Sequence, residues 1–287
     1  MVKIVSILIF LLPCILPAQS SVWKITKDDH SLYIGGTCHL LRPSDFPLPV
    51  EFEVAYTASE TLVFEMNPAT ANTHGFALKL LNKAKYNDSR SLKSVLSKQT
   101  YAALNEQCVR NGLSMETLDK MKPFMVIMTL LLQELSALGI SEEGVDLFFY
   151  KRALNDKKQI HSLETPDFQI DLITSIDEGI EDQIVSYGLK DINKIQKRFD
   201  ELIYAWRTGK IESLEENFID QIKNYPTLYS RILVTRNLEW AKSVKRYLDD
   251  SKVEFILVGV AHLAGEKGLL TLLKEEGYAV EQLAIEN

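Results

Sequence analysis

Two short segments place a histidine three residues after a glycine at the end of an apolar run: Ile34-Gly35-Gly36-Thr37-Cys38-His39-Leu40 and Leu257-Val258-Gly259-Val260-Ala261-His262-Leu263. Glycine at a strand exit lets the backbone turn or come close to a ligand, and the histidine then stands where the strand ends. Glu65 and Glu164 also end short apolar runs, Leu62-Val63-Phe64 and Ile160-His161-Ser162-Leu163. In open α/β sheets the crevice beyond the carboxyl ends of the strands is where ligands bind. Two imidazoles and two carboxylates delivered there suit a divalent transition metal (Mn, Co, Fe or Zn). Such a site with open positions lowers the pKa of bound water enough to make hydroxide near neutral pH.

Each candidate needs a strand to position it. Residues 22–25 and 32–34 flank the polar turn Lys27-Asp28-Asp29-His30, which predicts a hairpin whose second strand runs into His39. Pro43, Pro47 and Pro49 mark a loop; residues 50–59 then read as helix and 61–64 as a buried strand leading to Glu65. Residues 157–163 predict a strand before Glu164. Residues 254–260 and 278–284 predict the last two strands, with a helix at 267–276 between them.

From about residue 73 to 248 apolar spacing of three and four predicts helices, interrupted by the strand near 157–164. Residues 124–132 are too short an apolar run to cross a bilayer and predict a buried helix. The fold class expected is α/β, a central mainly parallel sheet built from both chain ends with a large helical insertion. That insertion is expected to cover the cleft and set the size of what enters.

Lys3, the apolar residues 4–16 and the small-x-small pattern Ala18-Gln19-Ser20 predict a signal peptide at 1–20, leaving residues 21–287 as one exported domain, periplasmic or secreted. Cys14 lacks the small preceding residue of a lipoprotein site, and nothing like a stop-transfer flank follows, so no transmembrane span is expected after signal removal. The formal net charge of −7 becomes −8 once Lys3 is removed, and no Lys/Arg-rich patch offsets it; nucleic acid is not an expected partner. With 46% apolar residues the chain can build a full core.

Cys38 and Cys108 suffice for one disulfide but form no zinc-binding cluster. A Cys38 thiolate nucleophile is disfavoured, because adjacent His39 would point to the opposite face of the strand. His30, His74 and His161 read as ordinary turn or surface residues.

The motifs resemble the TraB/GumN family, which includes the Tiki proteases. The resemblance rests on Gly36-Thr37-Cys38-His39, Leu48-Pro49 and Leu62-Val63-Phe64-Glu65, then Gly144-Val145-Asp146, Leu163-Glu164-Thr165 and Gln169, and finally Arg236-Asn237 ahead of Gly259-Val260-Ala261-His262. It implies a fold shared with erythromycin-esterase-like and ChaN-like proteins and a divalent-metal hydrolase, peptidase-like, acting on a peptide or other small substrate. His39 and His262 match the family's paired histidines, and Glu65 and Glu164 its strand-end acids. One glutamate would be a ligand and the other a general base, with Asp146 or Arg236 behind the ligands or on the substrate. The competing expectation is a non-catalytic binding module that holds a metal, haem or carbohydrate in the same pocket.

Overall fold

The computed structural model describes residues 18–71, 73–140, 143–249 and 251–285. The signal-peptide reading falls largely on residues 1–17, outside the described residues. Residues 18–20 begin the first strand, where Ala18 pairs with Ile285 and Gln19 with Ala284.

Six strands, β1 (Ala18–Lys27), β2 (His30–Thr37), β3 (Thr61–Phe64), β4 (Gln159–Ser162), β5 (Glu254–Gly259) and β6 (Ala279–Ile285), form one sheet in the order β4-β3-β5-β2-β1-β6. The β2–β5, β3–β5 and β3–β4 pairs are parallel; β1 runs antiparallel to both β2 and β6. The expected hairpin is present, longer than its apolar residues alone suggested. Asp28 takes its turn at φ 52, the left-handed region in which aspartate is tolerated. The strands β3 to β6 lie within two residues of their expected bounds, because each apolar run is bounded by turn formers.

Alternation along the strands splits the core between two faces. Leu62, Phe64, Phe255 and Leu257 face a cluster with Phe52, Tyr56, Phe149 and Trp206, whereas Val63, Ile256 and Val258 face one with Trp240, Val244, Leu248 and Leu273. Helices Val50–Ala58 and Val145–Asn155 therefore cover one face, and helices Thr235–Leu248 and Leu269–Glu275 the other. Burial on both faces is why these strands read as continuous apolar runs.

The helix expected to be buried at 124–132 extends over Pro123–Ala137 and buries one face only, through Val126, Ile127 and Leu130, while Leu132 is 43% exposed. It packs in a separate cluster with Leu104, Cys108 and Val185, away from the sheet. Cys38 and Cys108 are free, buried thiols in different clusters, so they do not form the disulfide their number allowed. Among the described residues no helix is long and apolar enough to cross a membrane.

Candidate active site

Parallel pairing brings the two glycine–histidine segments together. Thr37 of β2 lies beside Gly259 of β5, so the two strands end in step while their glycine–histidine segments are offset by one residue, β2 running into His39 and β5 into the tight 3-10 turn Val260–His262. On the far side of β5, Phe64 pairs with Leu257 and with Ser162. The pairing continues beyond the strands, with the Glu164 N–H donating to the Glu65 carbonyl at 2.8 Å. The four strand-end side chains therefore line one edge of the sheet. A Cβ placed on Gly259 would lie 3.2 Å from Glu65 Oε1, 3.6 Å from the His262 ring and 3.7 Å from His39 Nε2. Hydrogen at that position leaves room for all three, and the Gly259 N–H donates to Glu65 Oε1 at 2.7 Å.

His39 is held from the opposite side. Helix Val145–Asn155 starts against the exit of β2, its Val145 N–H donating to the Cys38 carbonyl at 3.1 Å. Gly144 makes that approach possible, since a Cβ there would lie 2.3 Å from the His39 backbone. Asp146 then reaches back: Oδ2 lies 2.8 Å from His39 Nδ1, and Oδ1 accepts from the Thr37 hydroxyl at 3.1 Å. The imidazole is oriented but 63% exposed, so its Nε2 edge remains within reach of water and ligands. The Asp146 carboxylate, opposed by burial and helped by Glu65, raises His39 to about 9.

Arg236 occupies the centre. The turn before its helix, Ser230–Val234, is π-helical, a widening common where helices carry functional groups. Its guanidinium donates from Nε to Glu164 Oε1 at 2.8 Å, from Nη2 to Glu65 Oε2 at 2.5 Å and Glu164 Oε2 at 3.0 Å, and from Nη1 to His262 Nε2 at 2.9 Å. Glu164 also accepts from Trp240 Nε1 at 2.9 Å and Gln169 Nε2 at 2.6 Å, so both its oxygens are fully used. Burial alone would raise the Glu65 carboxyl, but the surrounding imidazoles, the guanidinium and the Gly259 N–H outweigh it and bring it to about 2.

The tautomer of His262 follows from Asn237. The Asn237 Nδ2 donates to the carbonyls of His262 and Lys267, so its Oδ1 is left to accept from His262 Nδ1 at 2.6 Å. His262 Nε2 therefore carries the lone pair that Arg236 meets. Burial and the guanidinium lower His262 to about 3 and keep it neutral. The Trp240 ring packs on it with centroids 4.3 Å apart.

The structure thus brings His39, Glu65, Glu164, His262, Asp146 and Arg236 into one cluster, with Asp146 and Arg236 supplied by helices Val145–Asn155 and Thr235–Leu248. His30 opens β2, His74 opens helix His74–Lys83, and His161 stacks on Tyr247. Sequence reasoning gave no separate role to Trp240, or to Asn237 beyond its place beside Arg236. Trp240 lies four residues after Arg236 and three after Asn237 on one helix, and that spacing was the available signal.

As placed, three of the four expected metal donors, Glu65, Glu164 and His262, are matched to a guanidinium. Glu164 and His262 Nε2 face Arg236, and among the described residues no group of three or more His, Cys, Asp or Glu side chains is arranged to hold a metal ion. The set does not fit an ion unless Arg236 moves. Burial raises the Cys38 thiol, with Asp146 adding to it, so this cysteine is no thiolate nucleophile.

No curated protein and no solved structure matches the chain. The model of the TraB/PrgY/gumN family matches residues 21–282, nearly the whole chain; the chain belongs to the TraB/PrgY/gumN family.

Proposed function

We propose that the chain is a hydrolase of amide or ester bonds, acting on peptide-like substrates, with His39 as the group that moves the proton. The supporting observation is the exposed His39 imidazole, its Nδ1 held by Asp146 and its Nε2 turned toward Glu65 and the Gly259 backbone. In its neutral form Nε2 takes a proton from the attacking water and returns it to the leaving group. Glu65 stays ionised and is too weak a base for that step, and Glu164 has no free oxygen. The two acids instead hold Arg236 and, through it, His262 in place beside the reacting groups. The leader-like residues 4–20 support an exported setting.

A second reading retains a divalent metal. Both histidines have Nδ1 fixed by an oxygen, from Asp146 and Asn237, and Nε2 turned inward, the orientation that ligating imidazoles adopt. It requires Arg236 to release His262.

A panel of peptides and esters, assayed after chelator treatment and again after adding Mn, Co or Zn, separates these readings. Hydrolysis that survives the chelator supports proton transfer by His39. Hydrolysis that needs added metal supports the second reading. Metal, haem or carbohydrate bound without turnover supports the binding module, and absence of hydrolysis under every condition overturns the proposal.

A further inference from the structure

Behind the Glu164–Arg236 pair lies a cavity of about 730 Å³ that shares both residues with the candidate active site. Its walls have two characters. Leu163, Phe168 and Trp240 give it an apolar floor, and Phe168 is 44% exposed, an unusually open position for a phenylalanine. Its mouth follows helix Thr235–Leu248, where Arg236, Glu239, Ser243 and Arg246 recur at three and four residues and so share one side.

Most of the cations there are already balanced. Lys242 pairs with Glu239, Lys245 with Glu276, and Arg236 with both site glutamates. Arg246 instead donates to the Ser243 hydroxyl at 2.9 Å and, among the described residues, is in no ion pair. A guanidinium in no ion pair among the described residues, lining the same cavity as the exposed Phe168 on a chain of net charge −7, is complementary to one kind of ligand. That ligand has an apolar body and an anionic end, since the planar fork of arginine matches carboxylate and related oxyanions.

We propose that this cavity binds an apolar group bearing a carboxylate or similar anion, with the apolar part on Phe168 and Trp240 and the anion at Arg246, and that it seats the non-reacting part of the substrate. The second half rests on the hydrolase reading; the binding half does not.

Fluorescence titration with anilinonaphthalene sulfonate, an apolar anion, and with phenylnaphthylamine, its uncharged analogue, tests the site without turnover. Arg246→Glu is expected to weaken the sulfonate about tenfold while leaving the neutral probe within about twofold, and Arg246→Lys to weaken the sulfonate less than Arg246→Glu does, because the charge remains while the fork is lost. Phe168→Ala is expected to weaken both probes. Laurate, an unreactive apolar carboxylate, is expected to displace the sulfonate from the wild type. Equal binding of both probes by Arg246→Glu and the wild type, or equal loss of both in Arg246→Glu, overturns the site. On a hydrolysed substrate with an anionic end, Arg246→Glu is expected to raise KM about tenfold with kcat within about twofold, and a fall in kcat alone would overturn the substrate role. Failure of hydrolysis in the wild type bears on the hydrolase reading alone, because the probe titration needs no turnover.

Discussion

Asp146 fixes the tautomer of His39 and also sets the pH at which it can work. With the carboxylate 2.8 Å away and the imidazole raised to about 9, His39 is protonated at neutral pH and becomes a base only as pH rises. Turnover that depends on neutral His39 therefore increases with pH through an inflection near 9 and levels off above it. In Asp146→Asn the charge that favours the imidazolium is gone, so the inflection is expected to move down toward the ordinary histidine value of about 6.5. The plateau rate is expected to fall, because Nδ1 loses its anionic acceptor and the amide NH2 group can hold the opposite tautomer. A profile of kcat/KM against pH for both proteins checks this; an inflection at the same pH in the two would show that another group titrates. His262, at about 3, stays neutral throughout that range and contributes no inflection.

At the scale of elements, the site depends on one helix starting hard against one strand exit. A Cβ on Gly144 would lie 2.3 Å from the Cys38 carbonyl oxygen and the His39 backbone, so the start of helix Val145–Asn155 must retreat in Gly144→Ala. The cost is expected to be about 1–3 kcal/mol, as for other forced overpacking. Asp146 moves with the helix, so the pH inflection should fall as it does in Asp146→Asn. Gly75 is the control: a Cβ there meets nothing within 4 Å, and Gly75→Ala is expected to be neutral or slightly stabilising in denaturation and unchanged in pH profile. Equal behaviour of the two alanine variants would remove the role given to Gly144. The strands and the residues at their exits were readable in the sequence, since β3 and β5 are apolar runs ended by Glu65 and Gly259. The seating of helix Val145–Asn155 was not, because nothing local in Gly144-Val145-Asp146 names His39, more than a hundred residues away in the chain, as its neighbour.

Over the whole molecule, Arg236 joins parts that are far apart in the chain. Its helix covers one face of the sheet, while the side chain clamps Glu65 after β3, Glu164 after β4 and His262 after β5. A charge on an amphipathic helix ordinarily reads as solvent-facing, which is why the sequence pointed to Arg236 without showing it at the centre of the acids and His262. Removing one partner of a buried ion pair leaves the other uncompensated, so Arg236→Ala is expected to lower unfolding stability by about 3–5 kcal/mol. Adding Glu65→Gln to that variant should recover part of the loss, because it removes one stranded carboxylate. Urea denaturation of the single and double variants measures both effects, and a single-variant loss below about 1 kcal/mol, the size of an exposed pair, would show that the clamp is not buried in solution.

The most direct test of the central claim is the turnover of His39→Ala beside the wild type, on the best substrate of the panel, with chelator present and melting temperature recorded for both. The expected result is a fall in kcat of about 10² to 10⁴ in a protein that still unfolds cooperatively, its melting temperature lowered only by the loss of the pair with Asp146. A His39→Ala protein that hydrolyses the substrate within about twofold of the wild-type rate would contradict it, because the proton would then be moved by another group.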